Sequence, residues 1–198
     1  MGSLWNTNSF HNETSEYGAL RMMRKTTRLH YAAHDGDCVR IESLLAVGFD
    51  IEARDGYGRT PLLRAALNGH IDAFDLLLRY GADFNAEDDW GRKAEHLAVK
   101  NGHWDLFCLI LDLGGEGVLY SRDNFGRTPA HLASLKGERD TLSAIVSSKF
   151  NINVKDNWHR TPLHLAYKSE NEETATFLKE KGADNKCVDL FGRKPEDM

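Results

Sequence analysis

Thr60–Ala66 reads TPLLRAA and Thr161–Tyr167 reads TPLHLAY. The same phrase returns at Thr27 as TRLHYAA, at Lys93 as KAEHLAV and at Thr128 as TPAHLAS, and a cut-off sixth start, KPEDM, fills Lys194–Met198. The starts are 33, 33, 35, 33 and 33 residues apart. Self-similarity at this period predicts stacked units that share one continuous core, not a separate globular domain.

Each unit can be read from local chemistry. Thr60 suits an N-cap, because its hydroxyl accepts from free backbone amides, and Pro61 suits the first helical position, where no amide partner is needed. Gly69 stands where a short helix must end in the left-handed region. Ile71, Phe74, Leu77 and Leu78 then repeat with the spacing of a one-sided helix, closed by Gly81. The stretch Ala82–Arg92, ADFNAEDDWGR, lacks such a stripe and is rich in Asp, Asn and Gly, so it predicts a hairpin-like finger leading to the next start. The stripe recurs as Ile41, Leu44 and Leu45, as Phe107, Ile110 and Leu111, and as Leu142, Ile145 and Val146. In the fifth unit it becomes Ala175, Leu178 and Lys179, which predicts a helix stacked on one side.

The pattern resembles the ankyrin repeat, with its T-P-L-H-x-A-A segment, its G-H step and its G-A-D-x-N-A-x-D close. The resemblance implies an all-α solenoid of helix–turn–helix repeats with β-hairpin-like fingers. The expected organisation is a disordered polar leader over 1–16 and a cap over 17–26. The cap carries Leu20, Met22 and Met23 over the open face of the first unit. A repeat domain follows over 27–198, with units at about 27–59, 60–92, 93–127, 128–160 and 161–193 and a partial unit at 194–198.

The formal net charge of −5 argues against nonspecific binding to phosphate backbones. Cys38, Cys108 and Cys187 are odd in number and widely spaced, which excludes a disulfide framework and a CxxC zinc motif and favours a reducing compartment. No run approaches the length of a membrane span and no apolar signal segment opens the chain. The expected location is intracellular, cytoplasmic or nuclear, and the expected state a monomer. Asn12-Glu13-Thr14 fits a glycosylation sequon but lacks an export signal, and Asn6 stands where myristoylation requires Ser or Thr.

Nine histidines invite a metal or catalytic reading. The register removes it: His30, His96, His131 and His164 share one slot, and His70 and His103 each follow a turn glycine. The resemblance implies that these rings bond backbone between repeats. No metal-ligand spacing, nucleophile motif or phosphate loop occurs, so neither catalysis, nor a metal, nor a cofactor is expected.

The fingertips are where the chain departs from a generic solenoid. Tyr57, Trp90, Phe125, Trp158 and Phe191 precede the Gly-Arg step of each finger, with His159 replacing the fourth Gly, and Arg59, Arg92, Arg127, Arg160 and Arg193 follow it. Such positions line the concave surface of ankyrin repeats, and aromatic and Arg side chains are favoured in binding hot spots. The expectation is a protein-binding strip of Tyr57, Arg59, Trp90, Arg92, Phe125, Arg127, Trp158 and Arg160, with Leu67 as an apolar floor beside Leu135. The competing reading is a ladder in which each ring stacks on its Arg and stiffens the fingers. Glu87, Asp88 and Asp89 read as an acidic tip among basic ones at Arg54, Arg122 and Lys155, and this mixture favours a specific protein over a charged polymer.

Other departures carry expectations. The third unit opens Lys93-Ala94-Glu95 without Thr or Pro, and the dipole and free amides of the first turn are expected to stabilise the Glu95 charge. Gly114–Arg127 holds two extra residues and three early glycines and predicts a longer, more mobile finger, with Leu119 and Tyr120 nearby as a second candidate contact; the competing reading is a tolerated loop insertion. Lys149 and Glu170 stand where the pattern has Gly, which predicts a less stable C-terminal half. Asn85 and Asn153 occupy positions where the resemblance implies candidate hydroxylation. Taken together, the expected function is protein–protein interaction as adaptor, scaffold or inhibitor. The alternatives are a nucleotide- or oligonucleotide-sensing ankyrin domain, or a regulatory fragment of a longer enzyme or channel.

Overall fold

The computed structural model describes residues 26–148 and 150–198, and among these the chain forms ten α-helices in antiparallel pairs. They are α1 (Arg28–Asp35) with α2 (Cys38–Ala46), α3 (Pro61–Asn68) with α4 (Ile71–Arg79), and α5 (Ala94–Asn101) with α6 (Trp104–Gly114). Then come α7 (Pro129–Lys136) with α8 (Arg139–Ser147) and α9 (Pro162–Lys168) with α10 (Glu172–Glu180). The first helices of the pairs pack on one another in chain order, the second helices form an outer row, and the result is an all-α solenoid. The expected leader, nearly all of the cap, and Lys149 lie outside the described residues.

Local signals act as their chemistry requires. The Thr60 hydroxyl accepts from the Leu63 amide at 3.3 Å, with Pro61 at the first helical position. Gly69 closes α3 at φ 75°, and a Cβ there would meet the His103 ring of the next unit, so both the conformation and the close approach require glycine. Leu29, Ile41, Leu62, Phe74, Leu77, Leu97, Phe107, Ile110, Leu142, Ile145, Leu163 and Leu178 form one buried core running the length of the stack.

Four histidines bind successive units together. The Nδ1 atoms of His30, His96, His131 and His164 accept from the amides of Thr27, Lys93, Thr128 and Thr161 at 3.1–3.3 Å. Each Nε2 lies 2.9–3.2 Å from the carbonyl of Arg59, Arg127, Arg160 or Arg193. A ring that accepts at Nδ1 and faces a carbonyl at Nε2 is neutral and protonated on Nε2. Lys93 brings no hydroxyl to the start of α5, and the bond from its amide to His96 is the same one made in the Thr-capped units. Burial lowers the pKa of all four rings, that of His131 to about 4. Glu95 is buried in the first turn of α5, its carboxylate 3.9 Å from His96 Nδ1.

One expectation is corrected. The two-residue insertion is a packed helical turn: α6 runs on to Gly114, a 3-10 turn follows over Gly115–Tyr120, and Val118 and Leu119 are buried in the core. Gly114 lies against Phe84 and Val118, and Tyr120 packs on Phe150 with ring centroids 4.8 Å apart. Leu119, 1% exposed, therefore offers no contact surface. Two apolar residues next to an open core position outweigh the flexibility of the three glycines.

Candidate partner-binding site

The finger row is built on one repeated carboxylate. Asp55, Asp88, Asp123, Asp156 and Asp189 each use Oδ1 to accept from the amides two and four residues on, at 2.7–3.0 Å. The Asp amide in turn donates to the carbonyl four residues on, at 2.9–3.0 Å. This closes a tight turn that places the aromatic at its tip. Adjacent tips are joined by one backbone bond each, from Asp89, Asn124, Asn157 and Leu190 to the carbonyls of Tyr57, Trp90, Phe125 and Trp158, at 2.9–3.0 Å. A single backbone bond per step is too few to form a strand, and side chains add the remaining links between fingers.

In the later fingers Oδ2 of the same Asp holds the Arg four residues on. Nε distances are 2.8 Å for Arg92, Arg127 and Arg160 and 2.9 Å for Arg193. A second guanidinium nitrogen lies at 2.6–2.7 Å in each. The guanidinium also lies over the aromatic of its own finger, at 4.7 Å for Arg59 and Tyr57, 4.5 Å for Arg92 and Trp90, 4.7 Å for Arg127 and Phe125, and 4.6 Å for Arg160 and Trp158. Held by a buried carboxylate on one side and a ring on the other, Arg92, Arg127 and Arg160 are committed inside the row. Arg59 is as deeply buried, at 7% exposed against 5% for Arg92, but has its ring contact without a hydrogen-bonded carboxylate.

The rings are more open. Tyr57, Trp90, Phe125 and Trp158 are half-buried and sit in two pairs, Tyr57 with Trp90 at 5.6 Å and Phe125 with Trp158 at 5.8 Å, while Phe191 is exposed. Leu67 is half-buried against the core, and its carbonyl lies 3.0 Å from His103 Nε2. The acidic tip is smaller than the sequence suggested: Asp88 is buried on Arg92, which leaves Glu87 and Asp89 exposed. Arg54 and Arg122 each use one nitrogen to bridge two neighbouring fingers, Arg54 to the carbonyls of Gly58 and Glu87 and Arg122 to those of Gly126 and Lys155.

Two features escaped the sequence reading. The finger Asp four residues before each Arg is the hub of the turn, and its constant spacing was the available signal. Arg64 stands where the later inner helices carry Leu97, Leu132 and Leu165, and it takes Asp55 for itself, with Nε 2.6 Å and Nη2 2.5 Å from Oδ2. Of the two asparagines, Asn153 spans to the next finger, its Oδ1 accepting from the Asp184 amide at 2.8 Å. Asn85 is exposed and holds Lys93 Nζ at 3.3 Å.

Among the described residues no His, Cys, Asp and Glu are grouped so as to hold a metal ion, and no helix is long and apolar enough to cross a membrane. No curated protein matches the chain. A family model for ankyrin repeats (3 copies) does, over residues 8–88, 29–120 and 95–189. The three matches together run from residue 8 to residue 189, over the helix pairs described above, and the chain belongs to the ankyrin repeat family.

Proposed function

We propose that this chain is an adaptor, scaffold or inhibitor that binds a partner protein across the concave face and the fingertip row. Ankyrin repeats are in general protein–protein interaction modules without catalysis. The observation that carries the finer reading is the pairing of half-buried Tyr57 with Trp90 and of Phe125 with Trp158 on one edge. Rings already held in place lose little entropy on binding, and each retains open area for a partner. Arg92, Arg127 and Arg160 contribute chiefly by fixing those rings, Arg59 lies over Tyr57 without a carboxylate of its own, and Leu67 supplies an apolar floor. The mode is rigid docking on a preformed surface by a monomeric solenoid inside the cell. The domain organisation we propose is the leader, cap and repeats laid out from the sequence. Of the two candidate hydroxylation sites, Asn85 is the more accessible.

The test is affinity capture from lysate, comparing the native chain with a variant carrying Tyr57→Ala, Trp90→Ala, Phe125→Ala and Trp158→Ala, after circular dichroism shows that both fold. A partner held by the native chain should be lost from the variant, since a single hot-spot aromatic contributes about 2 kcal/mol or more. Equal capture by both would assign the rings to the ladder alone.

A further inference from the structure

Three guanidiniums and two carboxylates meet beneath the first two fingers. In the later fingers one Arg is matched to one Asp, but here Arg64 occupies Asp55 and Arg92 occupies Asp88. Arg59 is left over. Its Nε is fully buried without an acceptor, and the nearest carboxylate, Asp88, lies 3.7 Å away and already holds Arg92 at 2.7 Å. No hydrogen bond from its side chain is made among the described residues, and only ring contacts remain, at 4.7 Å to Tyr57 and 5.8 Å to Trp90. A buried cation with free donors is the costly half of an ion pair whose other half is missing. Burial, with the neighbouring Arg92 and Arg64 charges, pulls the Arg59 pKa down, the direction expected for a cation in excess.

We infer that Arg59 receives one carboxylate from the partner protein, an Asp or Glu side chain that approaches it past the edges of the Tyr57 and Trp90 rings. This rests on the proposed protein-binding role of the finger row. Charge decides the class of ligand. Arg59, Arg64 and Arg92 carry three positive charges against the two negative charges of Asp55 and Asp88, so one further negative charge makes the cluster neutral. A phosphate dianion would overshoot, and the exposed Glu87 and Asp89 beside the same finger would repel its two charges more strongly than the single charge of a carboxylate. A guanidinium fork matches a carboxylate in shape, and the ring edges suit the methylenes of an acidic side chain.

The experiment needs no partner. The arginine Nε–Hε resonances of the nitrogen-15-labelled chain are followed while acetate replaces chloride at constant ionic strength, with inorganic phosphate as a second titrant. The expected result is a saturating shift of the Arg59 resonance with Arg127 unmoved, weaker binding of phosphate, and a loss of acetate affinity of about tenfold or more in Arg64→Leu, where Asp55 is released to Arg59. Should Arg64→Leu fail to fold, Arg64→Met takes its place. The inference is overturned if Arg59 shows no saturating shift, if Arg127 shifts equally, if phosphate binds more tightly, or if acetate affinity survives the Arg64 substitution. Capture reads the rings and acetate reads the cation, so failure of one is distinct from failure of the other.

Discussion

The first finger and the third are closed by the same Asp turn, yet they hold their arginines in opposite ways. In the third, Arg127 lies on its own Asp123 and over its own Phe125, a self-contained unit. In the first, Arg64 reaches from helix α3 into the turn and takes the carboxylate, so Arg59 is displaced toward the next finger. The difference comes from one residue that replaces a buried leucine. A repeat scaffold can therefore keep its backbone and core while a single inner-helix side chain redistributes charge along the surface.

The largest effect is expected where the two arrangements meet. Asp88 takes two amides and the Arg92 fork and is the nearest anion to Arg59, so Asp88→Ala should cost about 3–5 kcal/mol in urea unfolding. Asp123→Ala strands only Arg127 and should cost less. Equal losses would mean that Arg59 draws nothing from Asp88.

Acid should separate the regions next. Leu63 fills the slot of the bonded histidines in the second unit, whereas His131 is buried and neutral between the fourth and fifth. Its folded pKa of about 4 lies below the unfolded value of 6.5, so the unfolded chain binds the extra proton. Its stability contribution is full above pH 6.5 and is lost as pH falls toward 4, on the order of 3 kcal/mol in all. His131→Leu should flatten this limb of the stability curve, measured by denaturant titration across that window. An unchanged limb would place the acid sensitivity elsewhere.

Arg64→Leu copies the later units into the second. Replacing a buried ion pair by an apolar residue while Arg59 regains Asp55 should be neutral or stabilising by about 1–2 kcal/mol, by the same unfolding measurement. A clear loss of stability would show that Arg64 supports the fold rather than charging the surface.

The smallest effect lies at the fourth tip. Gly58, Gly91 and Gly126 have positive φ, and a Cβ on each would clash with Asp89, Asn124 or Asn157 of the next finger. His159 adopts φ 59° in the same place, where the next finger presents Leu190. His159→Gly should raise stability by about 1 kcal/mol, visible as a small rise in Tm. Gly126→His at the equivalent position should be far worse, because Asn157 blocks it.

Sequence alone determined the helix pairs, their caps, the turn glycines and the buried histidines, because each follows from interactions within a few residues or from an apolar stripe at helical period. The fingertip aromatics were legible too, as a repeated position. Tertiary structure alone decided which Asp each Arg would hold, since Arg64 and Asp55 lie nine residues apart and Arg59 and Asp88 twenty-nine, and only stacking brings these alternatives within reach of one another. It also turned the glycine-rich insertion into a packed turn, because the space that buries Val118 and Leu119 is formed by neighbouring repeats and has no trace in the local sequence.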